Sequence, residues 1–180
     1  MANLITVNEF TTLKHISKKI DTDRIEQAIG FAQDIDLYDY LGDFLFDVLT
    51  NSAEVAYADL MDGSTFTEGS FEFRHAGLKS LLADLAYVRY LMSSNVNDTP
   101  FGLVQKSSQD STPLDRGLIK DLASQAMRDA DIKFSLINKY LEENLGTFTR
   151  YAKGDNPNIN TNRTRFEVLP QRNINDYEAF

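Results

Sequence analysis

The sequence contains no cysteine and only two histidines, His15 and His75. Without cysteine the chain can form neither disulfides nor thiolate metal sites. The two histidines lie in different segments with no partner at metal-ligand spacing, so we expect ordinary surface or interface histidines. The motifs GxxxxGK[ST], GxGxxG, GxSxG and HExxH do not occur. These absences predict a protein with no catalytic residues, no cofactor and no metal.

Long apolar runs are also missing. No stretch approaches the roughly 20 apolar residues that a membrane-spanning helix needs. The start of the sequence, MANLITVNEF, has no basic region before an apolar run, so we expect no signal peptide, synthesis in the cytoplasm and no membrane partner. The net charge of −9 argues against broad binding to nucleic-acid phosphates. An acidic wall would instead let DNA pass without gripping it.

The apolar residues that are present recur at helical spacing and predict a mainly α-helical bundle with long central helices. Helices are expected over 7–19, 23–33, 36–50, 53–61, 76–94 and 113–145. Asp34 and Gly42 are possible breaks in this series. Thr112 is the expected N-cap of the last helix and Gly146 its stop, and at 1.5 Å per residue it would be about 50 Å long. Its apolar stripe comprises Leu118, Leu122, Ala126, Ala130, Phe134, Ile137 and Leu141. The alternating FEF sequence within 63–75 predicts a small β-hairpin or an extended loop near 65–73.

After Gly146 the composition turns to Asn, Thr and Arg, without a helical stripe. We therefore expect a helical domain over 1–146 and an extended C-terminal arm over 147–180. In the sequence RTRFEVL, Phe166 and Val168 alternate with Arg165 and Glu167, which is typical of a strand that joins a sheet. The alternative is simple disorder. The arm residues expected to dock on a partner are Arg163, Arg165, Phe166, Val168, Tyr177 and Phe180.

The acidic series Asp39, Asp43 and Asp47 has a spacing of four residues, which places the three carboxylates on one face if they share a helix. The loop spacing and the glycine turn of an EF-hand are missing. A solvated helix face is the expected role, and an acidic rim that meets a basic partner is the alternative.

The order of the segments resembles that of head–tail connector proteins, also called neck-ring or portal-adaptor proteins, of tailed phages, particularly those of Bacteroidetes and crAss-like phages. The resemblance covers about residues 5 to 150. It is carried by AIGFAQDIDLYDYLGDFLFDVL (28–49), HAGLKSLLADLAYVRYLMSSN (75–95), TPFGLVQKSS (99–108) and IKFSLINKYLEEN (132–144).

The resemblance implies a structural virion protein at the neck, assembled in the host cytoplasm. It would form a ring with copies of itself, usually twelvefold, that joins the portal protein to other neck or tail proteins and extends the DNA channel. In such a ring the segment containing Phe101, Leu103 and Val104 would lie against the next subunit or line the channel. The C-terminal arm would dock on the portal or on a neighbouring ring. Two other hypotheses are a soluble helical adaptor that binds a regulatory protein, and a hydrolase that uses an Asp pair with a metal.

Overall fold

The computed structural model describes residues 3–16, 21–94, 96–99, 102–105 and 115–151, and it confirms a mainly α-helical fold. In the described ranges no helix is both long and apolar enough to cross a bilayer. The elements are α1 (Val7–Lys14), α2 (Thr22–Phe31), a π-helical turn (Ala32–Leu37), α3 (Tyr38–Leu41), α4 (Phe44–Asn51), α5 (Val55–Asp62), β1 (Thr65–Glu68), β2 (Phe71–Arg74), α6 (Gly77–Ser94), β3 (Val96–Thr99), β4 (Gly102–Gln105) and α7 (Arg116–Glu143).

Helix α7 begins and ends at residues other than those predicted. Asp115, not Thr112, is its N-cap, and the Asp115 carboxylate accepts a hydrogen bond from the Gly117 amide at 2.8 Å. Asn144, rather than Gly146, is the C-cap. With 28 residues the helix is about 42 Å long, shorter than the predicted 50 Å.

Of the two possible breaks, the one at Asp34 is wrong, because α2 continues through the π-helical turn into α3. The one at Gly42 is confirmed: α3 ends there, with φ of +57° and ψ of −142° at the glycine. Side chains rarely tolerate a positive φ, so glycine suits this position. The π-helical turn widens the helix locally and rotates the residues after it relative to those before it.

The predicted hairpin near 65–73 is confirmed. Strands β1 and β2 are antiparallel, with Phe66 opposite Phe73. The chain enters and leaves the hairpin through two glycines with positive φ, Gly63 and Gly77. A Cβ on Gly63 would lie 2.6 Å from the His75 carbonyl oxygen, so the two ends of the hairpin can approach each other only without a side chain there.

Helix α6 is the centre of the core, as its wide apolar stripe predicts. Helices α1, α2, α5 and α7 and the π-helical turn all pack against it. The stripe of α7 differs from the prediction in its first half: Ile119 and Ala123 are buried, whereas Leu118 is exposed and Leu122 only partly buried. Because Leu118 and Ile119 are both apolar, the sequence allows either of two adjacent faces of α7 to be buried. Packing against Leu91 of α6 selects the face that carries Ile119.

The core continues past the domain boundary expected at residue 146. Phe148 and Tyr151 are almost fully buried. Their rings pack edge-on against Phe44, with centroids 6.1 and 5.0 Å apart, and Phe148 also packs against Tyr57. The helical domain therefore extends at least to Tyr151.

Candidate interaction surfaces

The segment expected to contact a neighbouring subunit contains a second hairpin, which the sequence did not predict. Strands β3 and β4 are antiparallel and form a two-stranded sheet separate from that of β1 and β2. In the backbone register Leu103 lies opposite Asp98, and Val104 lies opposite Asn97. Phe101 lies outside the described residues. A hairpin of two short strands is marginally stable on its own in water, so this one benefits from further contacts.

The other predicted contact residues cannot be placed. Arg163, Arg165, Phe166, Val168, Tyr177 and Phe180 all lie outside the described part of the chain, which ends at Tyr151. Their docking role stays a prediction. Arg150, which precedes the buried Tyr151, is exposed and lies 3.4 Å from a carboxylate oxygen of Asp47 on α4.

A buried carboxylate links three helices at the centre of the domain. The side chain of Asp84 on α6 is 2% exposed and forms ion pairs with Lys14 of α1 and Lys133 of α7. The Lys133 ammonium also donates to the Ser80 hydroxyl at 2.8 Å. Burying a carboxylate is costly unless it is paired and hydrogen-bonded, and both conditions are met here. The arrangement is that of a structural ion-pair cluster.

A second ion pair connects α6 to the π-helical turn. The Arg89 guanidinium donates two hydrogen bonds to the Asp36 carboxylate, at 2.6 and 2.8 Å. The hydrogen bonds to Asp36 raise the pKa of Arg89, and burial opposes this effect. The guanidinium carbon lies 5.8 Å from the centre of the Phe31 ring, within the range of a cation–π contact. Arg89 thus connects the core to a set of exposed apolar side chains.

We call this set the apolar stripe. Phe31, Ile35, Tyr38 and Phe46 are 55%, 54%, 40% and 51% exposed. The first three follow one another at intervals of four and three residues along α2, the π-helical turn and α3. The Tyr38 ring meets the Phe46 ring edge-on at 6.0 Å, which extends the stripe onto α4. Single exposed apolar residues are normal on soluble proteins, but adjoining ones indicate a binding surface.

The apolar stripe was not predicted from the sequence, although a signal was present. The residues that predict a helix here, Ile25, Ala28, Ile29 and Ala32, form the buried face of this region. Phe31, Ile35 and Tyr38 form a second apolar series beside them. A helix with apolar residues on two faces has more apolar surface than its own core covers.

The predicted common face of Asp39, Asp43 and Asp47 is wrong. Gly42 separates α3 from α4, so the three residues do not share one helix. Asp39 and Asp43 are exposed, and Asp43 accepts a hydrogen bond from the Tyr38 hydroxyl at 3.1 Å. Asp47 is buried and accepts hydrogen bonds from Tyr57 and Asn51. Burial, and secondarily the bond to Asp47, raise the pKa of Tyr57 to about 12.

The two histidines occupy different environments. His15 follows α1 as its C-cap with a positive φ of 51°. His75 is buried, so the expectation of a surface position is wrong for it. Its ring stacks on Tyr140 with centroids 4.3 Å apart, and its Nε2 lies 3.0 Å from the Ser64 hydroxyl. Its Nδ1 has no hydrogen-bond partner. Burial lowers the pKa of His75, and the charge of Asp59 opposes this effect.

Lys79 of α6 forms a further set of ion pairs. In a shallow cleft between α1 and α6, the Lys79 ammonium lies 2.8 Å from Asp62 and 3.5 Å from Glu9. The hydrogen bond to Asp62 is the main cause of a raised pKa for Lys79. Among the described residues, no three His, Cys, Asp or Glu side chains lie close enough together to hold a metal ion.

Comparison with known proteins gives one match. Residues 37–161, well over half of the chain, match the sequence model of DUF6712, which is described as a family of unknown function. The matched range includes α3 to α7, and both hairpins lie within it. Neither the curated proteins nor the solved structures provide a match.

Proposed function

The chain belongs to the DUF6712 family, and we propose that it is a structural virion protein that forms a ring at the neck of a tailed phage. The ring joins the portal to the tail and extends the DNA channel. The proposal starts from the order of segments that resembles phage head–tail connectors. It includes a ring of copies of this chain, twelvefold as is usual in such connectors, with the portal and other neck or tail proteins as partners.

The observation that carries the proposal is the β3–β4 hairpin. It is inserted between the two longest helices, α6 and α7, and forms a sheet of its own. In a ring, a hairpin at this position reaches the next subunit, where the apolar Leu103 and Val104 gain a surface to pack against. This contact supplies the stabilisation that a two-stranded hairpin lacks by itself.

The charge of the chain supports the same role. A net charge of −9 repels the DNA backbone, so a channel built from such subunits lets the duplex slide through. Strong, salt-dependent binding to phosphates would require a basic surface. The ion pairs of Asp84 and Arg89 brace α6 against its neighbours, which suits a subunit that must keep its shape under load.

An adaptor that binds a regulatory protein as a soluble monomer is the second candidate, because an exposed apolar stripe also suits that role. The test is to measure the mass of the purified chain by light scattering, alone and with the portal protein encoded by the same genome, and to image the same samples by electron microscopy. We expect the mass of a ring and ring-shaped particles, either for the chain alone or on the portal. A chain that remains monomeric and does not bind the portal would instead support the adaptor.

A further inference from the structure

The surroundings of the apolar stripe specify what covers it. Asp34, Asp39 and Asp43 are exposed along its length. The Asp43 carboxylate is held beside the stripe by the hydroxyl of Tyr38, at 3.1 Å. A partner segment that fits this surface needs apolar side chains to cover the rings, with basic side chains close by to meet the carboxylates.

The chain itself contains such a segment. Residues 163–172, RTRFEVLPQR, include three arginines and one glutamate, in a protein that otherwise has an excess of acids. The alternation places Phe166 and Val168 on one side of an extended chain, with Arg163, Arg165 and Glu167 on the other. This segment therefore combines the apolar and basic groups that the surface requires.

The position at which the described chain ends allows the segment to reach a second copy. Tyr151 packs against Phe44 on the buried side of α4, whereas Phe46 lies on the exposed side of the same helix. Residues 152–162 span at most about 40 Å when extended, about the length of α7, which is far enough to reach an adjacent subunit.

We infer that residues 163–172 of one copy dock on the apolar stripe of a second copy of this chain. Phe166 and Val168 cover Ile35 and its aromatic neighbours, and the long side chains of Arg163 and Arg165 bend round the edge of the segment to meet the carboxylates of Asp34 and Asp43. The contact joins two different surfaces, so each copy donates one segment and accepts another, and a closed ring leaves no stripe uncovered. This inference rests on the proposed ring and names the partner of the C-terminal segment within it.

The absence of cysteine permits a direct test, because introduced cysteines are the only ones present. The full-length variants Ile35→Cys and Phe166→Cys, carrying tags of different mass, are mixed and oxidised gently. We expect a disulfide-linked heterodimer. The matched control replaces Ile35→Cys with Ile132→Cys, an isoleucine on α7 that is 62% exposed but lies outside the stripe. We expect about tenfold less heterodimer with this control.

Besides a missing crosslink, two crosslinking patterns would overturn the inference. One is equal crosslinking of Phe166→Cys to positions 35 and 132. The other is a disulfide within single copies of the double variant I35C/F166C while the mixed single variants stay unlinked, which would mean that the segment docks on its own domain. Rings without the crosslink would contradict only this inference. A crosslink in a chain that forms no ring and does not bind the portal would contradict only the connector role.

Discussion

Asp84 is the residue that contributes most to holding α1, α6 and α7 together, because its carboxylate pairs with a lysine from each of the other two helices. It is 2% exposed, and removing it leaves the ammonium groups of Lys14 and Lys133 without their shared partner. We expect Asp84→Ala to lower the free energy of unfolding by about 3 kcal/mol, the usual effect of breaking a buried ion pair. Urea unfolding monitored by circular dichroism measures the change.

The matched control for Asp84 is Asp34→Ala on the exposed side of the π-helical turn. A surface carboxylate contributes little, so the change should stay within about 0.5 kcal/mol. Equal losses for the two variants would contradict the role assigned to Asp84.

His75 makes the stability of the fold sensitive to acid. Its pKa is lowered in the folded protein, so the unfolded chain binds the proton more readily. The stabilisation from neutral His75 is therefore fully present above about pH 6.5, the pKa of an unperturbed histidine, and decreases as the pH falls below it. Urea unfolding between about pH 8 and pH 5 should show this decrease.

A His75→Phe variant tests the cause, because it keeps an aromatic ring beside Tyr140 but cannot take up a proton. We expect its stability to change less between the two pH values than that of the wild type. His15 is present in both proteins and cancels in the comparison. An unchanged pH dependence would place the acid sensitivity in other groups.

At the scale of elements, the β3–β4 hairpin is expected to contribute to ring assembly and not to the folding of the subunit. We expect the double variant L103D/V104D to weaken ring assembly while the isolated subunit still folds. The reason is that carboxylates in a subunit contact must be desolvated, whereas on a hairpin in water they remain hydrated. Light scattering reports the assembly, and thermal unfolding reports the fold. A collapse of monomer stability would place Leu103 and Val104 in the core instead.

The aromatic cluster around Tyr151 shows how an element can depend on residues beyond it. Phe148 and Tyr151 follow α7 but pack against Phe44 of α4. The Tyr151 hydroxyl donates a hydrogen bond to the Asn138 side chain within α7, and burial raises the pKa of Tyr151. A truncation that removes residues from Thr147 onward would therefore remove part of the core as well as the C-terminal segment.

At the scale of the whole molecule, we predict that metal removal leaves stability and assembly largely unchanged. The prediction follows from the lack of a ligand set at metal-site spacing in the sequence. EDTA should shift the thermal midpoint by no more than about 1 °C, an effect much smaller than that of a lost structural metal. A large loss of stability that Ca²⁺ or Mg²⁺ restores would contradict it.

The sequence by itself determined the helical class, the central place of α6 and the hairpin near 65–73. These features depend on local periodicity. Apolar residues at helical spacing predict a helix, and alternating residues between glycines predict a hairpin, so each can be recognised from residues that are close in sequence. The net charge of −9 and the lack of cysteine are likewise known from the sequence without a structure.

Only the tertiary structure decided which apolar faces are buried. Leu118 and Ile119 of α7 are equally apolar, yet contact with α6 buries Ile119 and leaves Leu118 exposed. In the same way Ile29 is buried in the core, while Phe31 and Ile35 remain exposed in the apolar stripe. The pairing of Asp84 with Lys14 and Lys133 joins residues 70 and 49 positions apart. Burial and pairing are set by the neighbours that folding brings together, and local sequence does not contain that information.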